Sequence, residues 1–427
     1  MVIKTYRSFL YSFSEYTRMQ IVIVGGGASG FMAAITAAET FPQSNIIILE
    51  KNKTVLNKVR ISGGGRCNVM HKPSELRYFI KNYPRGEKLL RKLFYQFDAQ
   101  ATIDWFEKHG VTLKTEADGR MFPVTDSSHT IIECLLKAAK KLNITVRTST
   151  AVKYFSYDKD NDPKNGFSLY LDENEILHAD KLLIATGGYP KLNSFDWIAE
   201  HQHDIVAPFP SLFTFNTPGN YLLSLAGVSV QDALIKINGS KHEWRGPLLI
   251  THWGFSGPAV LKLSAWGARD LAANDYNFTC KINWLPEMND QQIREFLINE
   301  KTKTPKQQIT SHSRLGIPAR LWKAFAEKSD ITDGMKWMDA GHKLLNRLTD
   351  LLTNSQFEVK GKTTFKEEFV TCGGVDLATI NAETLESLKI PGLFFAGEVM
   401  NVDGITGGFN FQNAWTTGYV AGKAIGK

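Results

Sequence analysis

Three glycine-bearing stretches of this chain have a composition suited to phosphate or to a flat ring, and one of them also has the spacing. Gly25-Gly26-Gly27-Ala28-Ser29-Gly30 is a G-x-G-x-x-G run. In that spacing Gly25 permits a tight turn, Gly27 lets a pyrophosphate approach the backbone, and Gly30 lets a helix pack close to a strand. The helix that follows offers unpaired N–H groups and a partial positive charge to phosphate oxygens. Twenty residues after Gly30 stands Glu50, an acid placed to accept hydrogen bonds from both ribose hydroxyls and to repel a 2′-phosphate.

The second stretch, Lys58 to Val69 (KVRISGGGRCNV), is not a second nucleotide fold, because no adequate strand precedes it and Arg66-Cys67-Asn68 is not a helical opening. It reads either as a surface loop or as backbone wrapping a flat or phosphorylated ligand, with Arg60, Ser62, Arg66 and Asn68 around the glycines. The third lies near the C-terminus: Gly397-Glu398, Asp403-Gly404, then Gly407-Gly408-Phe409-Asn410 ahead of a last helix. It lacks the G-x-G-x-x-G spacing and is therefore poised for something other than a pyrophosphate. Mid-chain, His252 with Trp253 and Ser256 is the most unusual cluster. His252 is either a satisfied, partly buried histidine or the acid–base group. Cys67, Cys134, Cys280 and Cys372 form no C-x-x-C, so spacing gives neither a zinc site nor a redox disulfide. Cys67 either faces a redox ring or is a small buried hydrophobe.

The elements that must position these residues follow from pattern. Gln20 to Val24 (QIVIV) and Asn45 to Glu50 (NIIILE) read as buried strands, with an Ala-rich helix from Phe31 to Thr40 between them. Glu87 to Lys141 is mainly helical, and Ile144 to Tyr154 and Phe167 to Leu171 read as strands. Lys181 to Ala185 (KLLIA) is a buried strand ending in Thr186-Gly187-Gly188, where small residues admit a ligand or a crossing chain. Composition changes between Pro190 and Phe365: short β-like stretches flank a Lys-rich helical run from Asp290 to Leu352. Gly392 to Ala396 (GLFFA) then returns to a buried strand.

The 427 residues are 43% hydrophobic and 22% charged, which excludes disordered, collagen-like and disulfide-scaffold classes. No apolar run approaches the roughly 18 to 20 residues of a membrane span. The first 18 residues lack the apolar core and cleavage site of a signal peptide and read as an extension ahead of the fold. With no secretory signature, free thiols and a cytoplasmic location are the expectation. The net charge of +7 is compatible with an anionic ligand or with plain solubility, and is no nucleic-acid signature by itself.

The N-terminal G-x-G-x-x-G with its acid, the strand ending in Ala-Thr-Gly and the C-terminal strand ending in Gly-acid resemble the two-dinucleotide-binding-domain flavoproteins. Within that class four segments resemble the BaiN/YhiN-like, aminoacetone oxidase-like family: ISGGGRCN (Ile61 to Asn68), GRMFP (Gly119 to Pro123), THWGFSGPAVL (Thr251 to Leu261) and DGITGGFNFQNAWTTG (Asp403 to Gly418). The resemblance implies an α/β fold: a Rossmann-type FAD-binding domain assembled from both chain ends, with an inserted β-barrel-like plus helical domain. Its expected bounds are 19–190 and 366–427 for the FAD-binding parts and 191–365 for the insertion. It implies non-covalent FAD, with Gly25, Gly27, Ala28, Ser29 and Gly30 at the pyrophosphate and Glu50 at the ribose. Lys51, Lys58, Gly64, Gly65, Arg66 and Asn68 would line the ribityl and flavin side. Val152 lies on the strand that meets adenine in this class, and Gly187 ends the mid-chain strand. Gly397, Asp403, Gly408, Phe409 and Asn410 would surround the ribityl chain and pyrimidine edge, with the helix N-terminus near Gly408 aimed at the N1–C2 edge of the ring. The wider class often has Asp after the C-terminal glycine where this chain has Glu398, so Glu398 and Asp403 are alternative holders of the ribityl hydroxyls.

The function expected from this is an FAD-dependent oxidoreductase of a small organic substrate, with no metal, and with His252 as candidate acid–base residue. No second G-x-G-x-x-G is present. Either NAD(P)H visits without its own Rossmann site, or the substrate reduces the flavin and oxygen reoxidises it. Two other readings stand beside it: a flavoprotein modifying RNA, suggested by Lys301, Lys303, Lys306, Arg314, Arg320 and Lys323, and a flavin-bearing interaction module.

Overall fold

The computed structural model describes residues 18–157, 166–171, 175–363 and 370–427. The N-terminal extension expected over 1–18 and the boundary expected at 365/366 fall almost wholly outside these residues.

Five short strands make one parallel sheet in the order Leu393–Phe395, Lys181–Ile184, Gln20–Val24, Asn45–Leu49, Thr145–Arg147. They are apolar because helices cover the sheet. Ile21, Val22, Ile23, Leu182, Leu183 and Leu393 have no exposure at all. The strand from the far C-terminus thus pairs beside one from the middle of the chain, and both ends build a single core. The helices Ala28–Thr40 and Phe409–Ala424 lie against each other, and small residues set their distance. A Cβ at Gly418 would stand 2.5 Å from the Ser29 carbonyl oxygen, and one at Gly422 would stand 2.5 Å from that of Ala33.

One expected strand is two. Ile144 to Tyr154 divides into Thr145–Arg147, in the parallel sheet, and Val152–Tyr157, in a separate antiparallel sheet. Ser149 between them takes φ +52°, a left-handed backbone that no strand continues through.

A second core runs from Phe213 to Val359. Its seven antiparallel strands follow the order Ser355–Lys360, Asn277–Asn283, Ser229–Ile237, Glu243–Ile250, Gly254–Ser256, Thr214–Asn216, Lys362–Thr363. The two outermost strands are consecutive in the chain, joined at Gly361, so the sheet curls back toward itself like a barrel. Helices Asp290–Lys303, Ala319–Lys328 and His342–Thr353 accompany it. Two antiparallel strands, Ile205–Pro210 and Thr371–Val375, carry the chain between the two units.

His203, 2% exposed, sits beside this connection, with its ring nitrogens 3.1 Å from Thr379 Oγ1 and 3.0 Å from Ser387 Oγ. Burial pushes it down to about 4, whereas an unfolded histidine titrates near 6.5. Above about pH 6.5 both states are neutral at this site. As pH falls toward 4 only the unfolded chain takes up the proton, so up to about 3 kcal/mol of stability is lost across that window. Denaturant unfolding at about pH 7 and about pH 4.5 checks this; the loss should be smaller by that amount in His203→Gln.

Candidate functional site

A cavity of about 710 Å³ lies between the two units and is walled by both. At one end the strand Gln20–Val24 stops in a tight turn that leads into the helix Ala28–Thr40. Gly25 donates its N–H to the Leu49 oxygen (2.8 Å) with φ +118°. Gly27 is extended and lies at the cavity wall, and a Cβ there would meet nothing within 4 Å. Gly30 is the reverse: a Cβ would fall 2.0 Å from the Gly25 oxygen, so its role is to let helix and turn touch.

Glu50 lines the cavity just after the second strand. Its Oε2 accepts from Gly26 N (3.0 Å), and its Oε1 accepts from Asn52 N (2.9 Å) and Nδ2 (2.6 Å). The carboxylate is therefore held in place by the turn itself. Lys51 and Val152 line the same end.

Midway, Lys58 and Glu398, 340 residues apart in sequence, meet at 2.6 Å. Glu398 also accepts from Thr371 N (2.9 Å). Gly64, Asn68, Gly187, Gly408 and Asn410 line this stretch. The Asn68 amide lies 3.0 Å from both Gly408 N and the Met70 oxygen, and with its oxygen turned to the former and its NH2 to the latter it ties the first glycine loop to the start of the last helix. Asn410 closes the preceding turn, accepting from Gly404 N and donating to its oxygen, each at 2.8 Å.

Several expected residues stand elsewhere. Arg66 donates to Glu116 (2.7 Å) and lies over the Phe122 ring at 4.1 Å, so its charge is engaged on the hairpin side and neither it nor Gly65 lines the cavity. Asp403 is wholly buried, gripped by Arg85 and Ser211; of the two acidic alternatives, Glu398 is the one at the cavity. Phe409 packs on His71, Phe79 and Tyr83, and Gly397 lies against Ser29. Cys67 is buried, and burial pushes its thiol up to about 12, which leaves it unreactive.

His252 is exposed and does not line the cavity. The neighbouring segment explains why. Thr251 caps the tight turn by accepting from Gly254 N (3.1 Å), and Trp253 anchors it by donating to Thr214 Oγ1 (2.9 Å). The ring of His252 is left on the solvent side, and Ser256, after the turn, reaches the cavity. His252→Ala should change stability by less than about 0.5 kcal/mol and leave steady-state turnover and FAD content unchanged.

The far wall carries no motif of its own: Leu212, Phe213, Thr214, Leu261, Thr363 and Val370; Tyr189, whose ring centre is 5.9 Å from the Lys51 ammonium, and Trp197 also line the cavity. Of the residues near this wall, Arg120 stands in the segment GRMFP, and Ser256 and Leu261 stand in THWGFSGPAVL. Among the described residues no cluster could hold a metal ion, and no helix is long and apolar enough to cross a membrane.

Open backbone at Gly27, an acid at the end of the second strand and helix N-termini at both chain ends fit FAD, and with the parallel sheet they define a Rossmann-type flavoprotein. The chain belongs to the HI0933-like protein Rossmann domain family, whose model matches residues 19–424. These are FAD-dependent oxidoreductases. The chain is 31% identical to a ribosomal RNA dihydrouridine synthase of Escherichia coli, over 96% of this chain and 98% of that protein. It is 27% identical to one of Haemophilus influenzae, over 97% and 100%. It is 25% identical to a 3-dehydro-bile acid delta(4,6)-reductase of Clostridium scindens, over 95% and 98%.

Proposed function

We propose that this protein is an FAD-dependent reductase of a carbon–carbon double bond conjugated to a carbonyl, in a small organic substrate, with NADH or NADPH as donor. The observation that carries the reading is the continuity of one cavity. It runs from the Gly25–Gly30 turn to an apolar wall of Leu212 and Val370, beside the connecting strands, and Phe213 and Leu261 of the other unit. The printed names of the relatives share this chemistry, since making dihydrouridine and reducing a 3-dehydro-bile acid both saturate such a bond.

Bound FAD would supply two-electron transfer between donor and substrate. The chain's own residues do the rest. The backbone at Gly27, Ala28 and Ser29 and the helix behind it hold the pyrophosphate. Glu50 accepts from the ribose, and Lys58 offsets phosphate charge beside Glu398. The N-terminus of Phe409–Ala424, with Gly408 and Asn410, presents a positive dipole end to the ring. Leu212 and Phe213 exclude water from the substrate. NAD(P)H enters this same cleft in alternation with the substrate, in keeping with the single G-x-G-x-x-G of the sequence.

Purified protein should be yellow and release FAD, not FMN, on denaturation. NADH or NADPH should bleach it without oxygen, and a conjugated enone should restore the colour. A colourless protein that FAD cannot reconstitute would overturn the reading. Glu50→Gln should weaken FAD binding tenfold to a hundredfold, the equivalent of about 1.5 to 3 kcal/mol for a charged hydrogen bond. Fluorescence titration of apoprotein with FAD reads this directly.

A second reading keeps the chemistry and moves it to a uracil base in RNA. The observation favouring it is a groove of about 450 Å³ on the second unit, where Arg320, Lys323 and Lys328 outnumber the one acid, Glu327, around Tyr221. If it holds, filter binding of ribosomal RNA fragments should weaken steeply with salt, because phosphate contacts release counterions.

A further inference from the structure

We propose that Arg120 recognises the substrate and that the substrate bears an anionic group, a carboxylate or a phosphate; this rests on the reading of the cleft as a substrate site. Five charged side chains line the cavity. Glu50 and Lys51 stand at the nucleotide end and Lys58 and Glu398 face each other midway, which leaves Arg120 as the charged group at the opening of the glycine loop. Arg120 begins the strand Arg120–Pro123 of a hairpin whose turn, at Gly119, packs on His71. Its guanidinium is already aimed. Nε donates to Asp118 Oδ2 (2.7 Å) and Nη2 donates to Glu116 Oε2 (3.1 Å). Among the described residues Nη1 has no acceptor, so one edge of the fork is fixed by the hairpin and another remains for a ligand. An arginine held this way matches the planar geometry of a carboxylate or a phosphate oxygen pair.

The surroundings favour an anion. Lys262 follows Leu261, which lines the cavity, on the helix Pro258–Ala273, and its ammonium stands 5.6 Å from the Trp244 ring centre. No carboxylate among the described residues lies within ion-pair distance of it. Burial lowers its pKa, with Asp118 across the seam pulling the other way. Arg66, Lys72, Lys114, Arg120 and Lys262 thus share this edge with only Glu116, Asp118 and Asp126, and those three are engaged with Arg66, Lys114 and Arg120. Lys72 and Lys262 are left over from those ion pairs among the described residues, Lys262 next in sequence to a cavity-lining residue, and a half-buried ammonium without a counter-ion is stabilised when an anion arrives.

The test is a pair of comparisons on the FAD-loaded protein by isothermal titration calorimetry, with the flavin difference spectrum as second readout. One pair is cholate and its neutral methyl ester, and the other is uridine 5′-monophosphate and uridine. The charged member of at least one pair should bind at least tenfold more tightly than its neutral partner. The cholate pair alone responding marks a carboxylate, and the uridine pair alone marks a phosphate. Arg120→Met should abolish the preference, and Arg120→Lys should keep part of it. Equal binding within both pairs, or no binding by any of the four, overturns the proposal. So does Arg120→Met that loses FAD while keeping the preference, because Arg120 then serves the cofactor. If Arg120→Met does not fold, the wild-type preference and its reduction in Arg120→Lys decide. A preference for anions in a protein whose flavin no donor reduces would sink the reductase reading and leave this one standing. A working reductase with equal binding would do the reverse.

Discussion

Gly27→Val should yield a stable protein that cannot be loaded with FAD, whereas Gly30→Ala should yield little folded protein at all. Both residues belong to one six-residue motif, and the difference comes from what a side chain would meet. At Gly27 the backbone is extended, at φ −93° and ψ −170°, a conformation open to any residue, and the space beyond Cβ is empty to 4 Å. That space is the cavity. Valine there costs the apoprotein at most about 1 kcal/mol, the difference between a good and a poor N-cap. It also stands between the helix N-terminus and any phosphate. Losing two or more charge-assisted hydrogen bonds, at about 1.5 to 3 kcal/mol each, weakens FAD binding by at least about a hundredfold. At Gly30 an added methyl falls 2.0 Å from a backbone oxygen that no rotamer change can move. Relief requires parting the first helix from its strand, at a cost of roughly 4 kcal/mol or more. Thermal unfolding of apoprotein and flavin content per chain should therefore separate in one variant and fall together in the other. A Gly27→Val protein that still binds FAD with wild-type affinity would place the pyrophosphate elsewhere.

This motif could be read from the sequence because its determinants are local. A strand, a turn and a helix lie within about twenty residues, Gly30 meets Gly25 and Glu50 is tied back to Gly26; the one distant constraint falls on Gly25, where a Cβ would stand 2.3 Å from the Ala185 oxygen. The same locality made His252 misleading. Its segment is chemically unusual, but Thr251 and Trp253 account for the unusual composition by building and anchoring the turn. Ser256, of the same cluster, does reach the cavity, and so does Leu261, which looks like an ordinary helix residue. The apolar wall was illegible for a further reason. Leu212 and Val370 meet only because the two connecting strands, about 160 residues apart in the chain, pair with each other, and nothing in their local spacing records that meeting.

Asp403 shows the limit most sharply, and replacing it should have a large effect of an unexpected kind. It stands in a glycine-rich run close to the cofactor end of the chain, which made it a candidate for the ribityl hydroxyls. The structure gives it another partner. Arg85, 318 residues away, donates through Nε and Nη2 to both of its oxygens, and Ser211 adds a third donor. Arg85 also donates to the Ala265 oxygen (2.7 Å), on a helix of the barrel unit. One guanidinium thus joins the N-terminal part, the barrel unit and the C-terminal part, with Asp403 fully buried and Arg85 nearly so. Burial alone raises the Asp403 pKa, and Arg85 pulls it back, so the carboxylate is tolerable only while that partner is present. Asp403→Ala leaves a buried guanidinium unpaired and should cost about 3 to 5 kcal/mol, with Arg85→Ala costing a similar amount. Because the two act as a unit, the double variant should lose less than the sum, by roughly 0.5 to 3 kcal/mol. Denaturant unfolding of all four proteins measures the coupling. FAD affinity, titrated at low temperature where Asp403→Ala is still folded, should stay within about threefold of wild type, well short of the loss expected when a charged hydrogen bond to the cofactor is removed. If the affinity collapses while the fold holds, Asp403 serves the cofactor directly and the joint between the units is a secondary consequence of its position.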